Sequence, residues 1–380
     1  MMPITLSPAQ PRLADRGTTH ASWRLLAPVL TTLLLAACAP RSTLTRPTAS
    51  PAQVQAEVRA RLPADVPDKD GWARDIQRAF AALKLDPSVS HLCAALAVTA
   101  QESSFSADPV VPHLGTIALK AIHKRAARHH IPGFAVDAAL RIHSPDGQSY
   151  ATRIRQARTE GQLSRIYEDL IARVPLGRHL FADDNPVRTG GPMQVSVRFA
   201  ERWAAHHDYP YAPRTSVRRE VFTRRGGLYF GIAHLLAKRV SYDSMLYRFA
   251  DYNAGFYASR NAAFQNAVNV ASGSHLVLDG DLVSYADHAS ATEKAVRRLG
   301  PRLGLSDGAI HDALKQGETF AFERTGLYHG VFNLADRAAG KPLPRAILPR
   351  ITLESPKITR RLTTAWFAHR VDQRYRACLH

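Results

Sequence analysis

Residues 94–105 read AALAVTAQESSF, and the way this stretch is built decides what kind of fold the rest of the chain must make. Leu92, Leu96 and Thr99 recur near the helical period, with the small residues Ala94, Ala95, Ala97 and Ala100 between them. The spacing therefore predicts a helix that is buried nearly all round. Such a helix needs other elements packed on every side, and the remaining chain reads as further helices, so the fold class is mainly α. The run ends by delivering one carboxylate, Glu102, between Gln101 and Ser103. A carboxyl at the end of an apolar helix is partly desolvated, which disfavours its charged form. That suits a group that holds a proton near neutral pH and then donates it. A glutamate at a frayed helix end would give the same local sequence.

The chain has 380 residues, 45% of them hydrophobic, enough for one large core or two modest ones. Near the N-terminus, Arg12, Arg16 and Arg24 precede the apolar run Leu25–Ala37, which is too short to span a bilayer as a helix but suits a signal-peptide core. It closes as Leu35-Ala36-Ala37-Cys38, which resembles the bacterial lipobox, and the resemblance implies a lipid on Cys38; an ordinary secretory signal before an incidental cysteine is the alternative. Residue Ala39, where an aspartate would mark retention in the inner membrane, fits the outer-membrane pattern, facing the periplasm. The formal net charge is +18, and removal of residues 1–37, with three arginines and Asp15, leaves +16. That charge favours anionic surroundings such as lipopolysaccharide, anionic lipid or the carboxylates of peptidoglycan. Its arginines are scattered and form no basic arm, so nucleic acid is not an expected partner. Two cysteines remain after Cys38. In an oxidising compartment Cys93 and Cys378 either pair, tying the C-terminus to the helix of Glu102, or stay as separate buried thiols.

Taken in order, residues 1–37 read as a leader, 38–52 as a Pro/Ser/Thr-rich tether, 53–300 as a helical domain and 301–380 as a helical extension packed on it. Helices are expected over 52–61, 71–83, from Ser88 or Ser90 as cap to the end of the quoted run, 116–130, 132–143 and 159–172. A Gly/Asp/Pro-rich loop then leads through Gly190-Gly191-Pro192 into a helix over 193–205. Further helices are expected over 217–225, 228–239, 244–253, 260–270 with Ser259 as cap, 292–299, 306–315, 320–339 and 359–379. Residues 274–282, around Asp279-Gly280, carry the only strand-like composition.

Three patches occur in one order: Gln101-Glu102-Ser103, Gly191-Pro192-Met193-Gln194, and Asp251-Tyr252-Asn253-Ala254-Gly255. In these the chain resembles the lysozyme-like lytic transglycosylases, which carry a Glu-Ser pair, a Gly-x-Met-Gln turn and a Tyr-Asn-Ala-Gly segment around a glycan cleft. The departure is the long stretch over about 106–190, where that family has a short connection; a loop tolerates insertion thermodynamically. Over most of its length the chain also looks like a proteobacterial lipoprotein family described only as a domain of unknown function, with GGPMQVS, FADYNAG and SPKITRRLTTAWFAHR. The first resemblance implies a lysozyme-like helical core with a large insertion, and a lytic transglycosylase acting on peptidoglycan glycan strands. Glu102 would be the single acid and base, with the substrate's N-acetyl group in place of an enzyme nucleophile. Ser103, Met193, Gln194, Tyr252 and Asn253 would bind the sugars. A hydrolysing muramidase is the near neighbour, with Asp251 holding a water. The alternative is a non-catalytic envelope lipoprotein whose cleft binds glycan or scaffolds wall proteins. No cofactor or metal is implied: His129-His130 and His206-His207 are adjacent pairs that diverge on a helix, there is no His-Glu-x-x-His, no Gly-x-Ser-x-Gly and no phosphate loop, and Asp279 and Asp281 read as a turn rather than a calcium site.

Overall fold

The computed structural model describes residues 49–173, 176–212, 216–284, 288–353 and 362–380. Cys38, the expected leader and most of the tether lie outside these residues, as does the SPKITRR part of the last quoted motif. Ser50 opens the fold: its hydroxyl accepts from the Gln53 amide while the Gln53 side chain accepts from the Ser50 amide, a reciprocal cap that starts α1 (Pro51–Arg61). The helices α2 (Lys69–Ala82) and α3 (Val89–Ser103) follow. All eight residues from Leu92 to Thr99 are buried, as the alanine-rich spacing predicts. Neither serine caps α3 through its side chain. Ser88 occupies the cap position without a side-chain bond, and the Ser90 hydroxyl instead pairs with the Tyr375 hydroxyl at 2.8 Å.

The stretch over 106–190 is itself helical: α4 (Leu114–Arg128), α5 (Gly133–Arg141), α6 (Tyr150–Gln156), α7 (Glu160–Ile171) and the short α8 (Gly177–Phe181). Within it the carboxylate of Asp108 accepts from the Thr159 hydroxyl and the Gly161 amide, and an Arg219–Glu168 ion pair at 2.7 Å ties the stretch back to the body. The expected helix over 193–205 starts later. Gly190-Gly191-Pro192 belongs to a two-stranded antiparallel hairpin, β1 (Thr189–Gly190) with β2 (Val195–Ser196), in which Thr189 faces Ser196. Ser196 then caps α9 (Val197–Ala204) by accepting from the Phe199 amide.

The two helices expected over 217–225 and 228–239 are α10 (Val217–Val221) and α11 (Arg224–Leu236); the break between them comes earlier because the Thr223 hydroxyl caps the second start by accepting from Gly226. Next come α12 (Met245–Ala254) and α13 (Ala258–Ser272). Ser259 is no cap: it lies buried inside α13, and its amide donates to the Asp251 carboxylate at 2.7 Å. The orphan first-turn amide is thus satisfied from the preceding helix rather than locally. Residues 274–282 form no strand. Side chains of α13 supply the partners a neighbouring strand would have offered: Asn269 bonds both backbone groups of Leu276, and Gln265 bonds the Gly280 amide and the Asp281 carbonyl.

The chain continues through α14 (Ala291–Leu303), α15 (Asp307–Leu314) and α16 (Gly326–Ala339). A second hairpin of β3 (Thr352–Leu353) with β4 (Leu362–Thr363) then leads into α17 (Thr364–Leu379). Residues 49–380 make one compact unit whose apolar interior falls into two clusters. The larger runs from Val54 to Ala250 and includes Phe367, Ala368 and Val371 of α17; the smaller joins α13 to α16. The C-terminal residues thereby serve both clusters. Among the described residues no helix is long and apolar enough to cross a membrane.

Candidate functional site

The three sequence patches come from three elements, and α17 holds two of those elements together. It packs along both α3 and α12. Near one end Cys378 forms a disulfide with Cys93 of α3; the Tyr375 ring lies edge-on to Phe249 of α12, and at the other end Thr364 donates to the Asn253 side chain at 3.1 Å. Closing a loop that spans most of the chain removes denatured-state entropy on the order of 5 kcal/mol in the chain-entropy account.

The third patch is fixed by close approach. Gly191 adopts a positive φ of 75°, and a Cβ there would lie 2.0 Å from the Val221 carbonyl oxygen. Opposite it, Gly231 of α11 lets Met193 bury completely, since a Cβ on Gly231 would stand 2.5 Å from the Met193 sulfur. Only glycine fits either place.

Tyr252 is the joint of the site. Its hydroxyl donates to the Met193 carbonyl at 2.6 Å, linking α12 to the β1–β2 turn. Burial pushes its pKa well above the ordinary tyrosine value, and the nearby Glu102 carboxylate pushes it further, so Tyr252 stays a neutral donor. That electrostatic contact brings α3 to the same point. Glu102 and Ser103 are each part-exposed at the end of α3, with the Ser103 hydroxyl donating to the Thr99 carbonyl at 3.1 Å. Gln194 is part-buried beside Met193, and its side-chain nitrogen folds back on the Gly191 carbonyl at 3.3 Å. Asn253 is exposed, and its oxygen is engaged by Thr364. So Tyr252 links the Met193 backbone to the neighbourhood of Glu102, whereas Gln194 folds back on its own turn, Asn253 points to α17 and Ser103 to its own helix.

The backbone around this meeting point is strained. Ser104, Phe105 and Gln194 all have φ between 49° and 62°, in the left-handed region that costs a non-glycine residue about 1–2 kcal/mol. Such residues persist where surroundings over-determine them, and they gather at binding and catalytic sites.

Asp251 does not join the group. Its oxygens accept from the Tyr242 hydroxyl at 2.6 Å and the Ser259 amide at 2.7 Å, and burial raises its pKa to about 6 in spite of those bonds. It is a cap and strut for α12 and α13, not a carboxylate placed to hold a water.

Three residues that sequence reading passes over support the site from beneath. The His234 ring meets Tyr252 edge-on at 4.9 Å, and its Nδ1 is buried; burial, then the charge of Lys238, lowers its pKa to about 3. Lys238 lies 3.0 Å over the Phe256 ring, with its own pKa brought down by burial to about 8. Together with Arg248 and Tyr257 they line a small recess beside Tyr252. A lone histidine on an apolar helix gives no sequence signal of this kind, because the pairing exists only once α11 lies against α12.

Comparison with known proteins bears on the chain as a whole. It is 54% identical over 327 residues to the protein called "Uncharacterized protein YaiW" of Escherichia coli (strain K12), an alignment covering 86% of this chain and 89% of that protein. No solved structure matches it. Residues 65–380, which contain all three patches, α17 and the disulfide, match the model described as "Protein of unknown function (DUF1615)", and the chain belongs to that family.

Proposed function

We propose that this protein acts on peptidoglycan glycan strands, as a lytic-transglycosylase-like enzyme on a lysozyme-like helical core, with Glu102 as its single acid and base. The observation that carries the proposal is the convergence at Tyr252: its hydroxyl bonds Met193 of the Gly-Pro-Met-Gln turn, and after burial it is the nearby Glu102 carboxylate that raises its pKa. Three patches far apart in sequence are thus brought to one point, in the order the resemblance requires.

In this reading Glu102 protonates the glycosidic oxygen between N-acetylmuramic acid and N-acetylglucosamine as that bond breaks. The substrate's N-acetyl oxygen covers the developing positive charge at the anomeric carbon. The Glu102 carboxylate then takes the proton from the sugar's C6 hydroxyl, whose oxygen closes the 1,6-anhydro ring. Tyr252, kept neutral, holds the Met193–Gln194 turn in position beside the carboxylate. The engagement of Asp251 by Tyr242 and Ser259 favours ring closure over hydrolysis, since that carboxylate is not placed to hold a water. The same proposal puts a lipid on Cys38 and the protein at the outer membrane facing the periplasm, in reach of the wall.

The test is digestion of purified peptidoglycan. The wild-type protein should release 1,6-anhydromuramyl products, and Glu102→Gln should lower the rate on the order of a hundredfold or more while keeping its fold and glycan binding. Reducing ends in place of anhydro ends would make it a muramidase. No product at all, with equal retention of peptidoglycan by wild type and Glu102→Gln, would leave a glycan-binding lipoprotein.

A further inference from the structure

Eight large hydrophobic side chains are exposed among the described residues, and six of them, Val110, Ile131, Phe134, Ile142, Leu176 and Phe181, belong to the inserted helical stretch. Two belong to one turn. Residues 127–134, Ala-Arg-His-His-Ile-Pro-Gly-Phe, are exposed without a break where α4 passes into α5; Ile131 is 43% exposed and Phe134 76%.

This turn has a definite shape. The Ile131 amide donates to Ala126 at 3.0 Å, the Ala135 amide to Pro132 at 3.0 Å, and His130 takes a positive φ of 57° to reverse the chain. Behind it, His123 of α4 meets Asp137 of α5 at 3.2 Å. The two apolar side chains are therefore displayed on a braced tip.

The tip's charge is one-sided. From His113 to His143 the sequence holds Lys120, Lys124, Arg125, Arg128 and Arg141 against the single acid Asp137, with five histidines besides. Arg125 is paired with Asp184, while Lys120, Lys124, Arg128 and Arg141 are exposed. Apolar side chains on an exposed turn with cations beside them match the layered chemistry of a bilayer surface, hydrocarbon beneath phosphate.

We propose that the α4–α5 tip is a membrane-docking element, in which Phe134 and Ile131 enter the interface of an anionic phospholipid bilayer while Lys124 and Arg128 face the headgroup phosphates. The proposal depends neither on Glu102 chemistry nor on a lipid at Cys38. It would hold the inserted stretch against a membrane even where no acyl chain is present.

The experiment uses residues 49–380, a unit that closes both its clusters and its disulfide within itself. Vesicles of phosphatidylcholine alone are compared with vesicles of equal parts phosphatidylcholine and phosphatidylglycerol, by flotation. Binding is expected to the second and not the first. The double substitution Ile131→Ser/Phe134→Ser should weaken it on the order of tenfold or more, and Lys124→Glu/Arg128→Glu should abolish it at physiological salt. Both pairs are exposed, and unchanged melting temperatures check that the fold is intact. Phe134→Trp adds a direct reading, with a blue shift of its emission on binding that brominated lipid quenches.

Equal binding by wild type and the double serine variant would overturn the proposal, since the net charge of the whole protein would then suffice. Equal binding to both vesicles, or to neither, would overturn it as well. Concentration-dependent self-association that requires Phe134 in the absence of lipid would assign the tip to a second copy of the chain instead.

Discussion

The helices α3 and α4 are consecutive and both 15 residues long, yet they do opposite things. Eight residues of α3 are buried in an unbroken run, whereas α4 buries only Leu114, Gly115 and Ala118. The first carries no charge before Glu102; the second carries Lys120, Lys124, Arg125 and Arg128. A helix without charge is held by what surrounds it, so α3 delivers its carboxylate to a place chosen by the packing of α11, α12 and α17. A basic helix with a narrow apolar stripe can project, and α4 carries its end out into solvent. Helix length and propensity are alike here, and the ring of neighbours decides the difference.

The largest stability effect should come from uncoupling α3 from α17. Cys93→Ala/Cys378→Ala is expected to lose on the order of 5 kcal/mol in urea unfolding, and reduction of the wild type should do the same. Identical midpoints for oxidised and reduced protein would mean that packing alone clamps the two helices. Next, Leu92→Ala on α3 should cost about 3 kcal/mol, because a fully buried leucine leaves a cavity its neighbours cannot fill. A loss well under 1 kcal/mol would show that α3 is less enclosed than its burial suggests.

A smaller effect concerns pH. The folded-state pKa of His234 lies near 3 against an ordinary 6.5, lowered first by burial and then by Lys238. Below about pH 6.5 the unfolded chain takes up a proton that the folded one refuses, so this group costs stability progressively as pH falls towards 3. Asp251 works in the other direction: its folded pKa is raised to about 6 from 3.8, so its contribution weakens stability as pH rises between those values. The two are separated by difference. The gap between wild type and His234→Gln should change with pH in the first window, and Asp251→Asn should remove the opposing slope. A pH-independent gap for His234→Gln would mean that the ring protonates freely in the folded protein. The smallest effect belongs to α4, where Lys124→Ala, on an exposed face, should change unfolding by less than about 0.5 kcal/mol.

How much of this is legible in the residues varies with how local the cause is. The α3 burial follows from spacing alone. So do the capping boxes at Ser50 and Thr159, where the hydroxyl and the glutamine that answer each other are three residues apart. The misreadings share another cause. Ser259 resembles a cap and is not one, because Asp251 of another helix reaches its amide first. Residues 274–282 resemble a strand, but Asn269 and Gln265 of α13 occupy its backbone groups. Ser90, read as an alternative cap for α3, pairs with a tyrosine 285 residues away.

The candidate site divides in the same way. The resemblance to the lytic transglycosylases groups Glu102, Ser103, Met193, Gln194, Tyr252 and Asn253 before any coordinates are known. That Asp251 is a strut, that His234 supports Tyr252 and that Asn253 answers to Thr364 are decided by the tertiary structure. The sequence by itself determined a mainly α protein built around one enclosed helix, with a carboxylate at its end and two cysteines free to pair. Helical periodicity and hydrophobic burial act over neighbouring residues and leave their pattern in the chain. Which donor reaches which buried acceptor depends on helices that meet only after collapse, and a buried polar group takes whichever partner is then nearest. That choice has no local signature, and so only the tertiary structure could decide it.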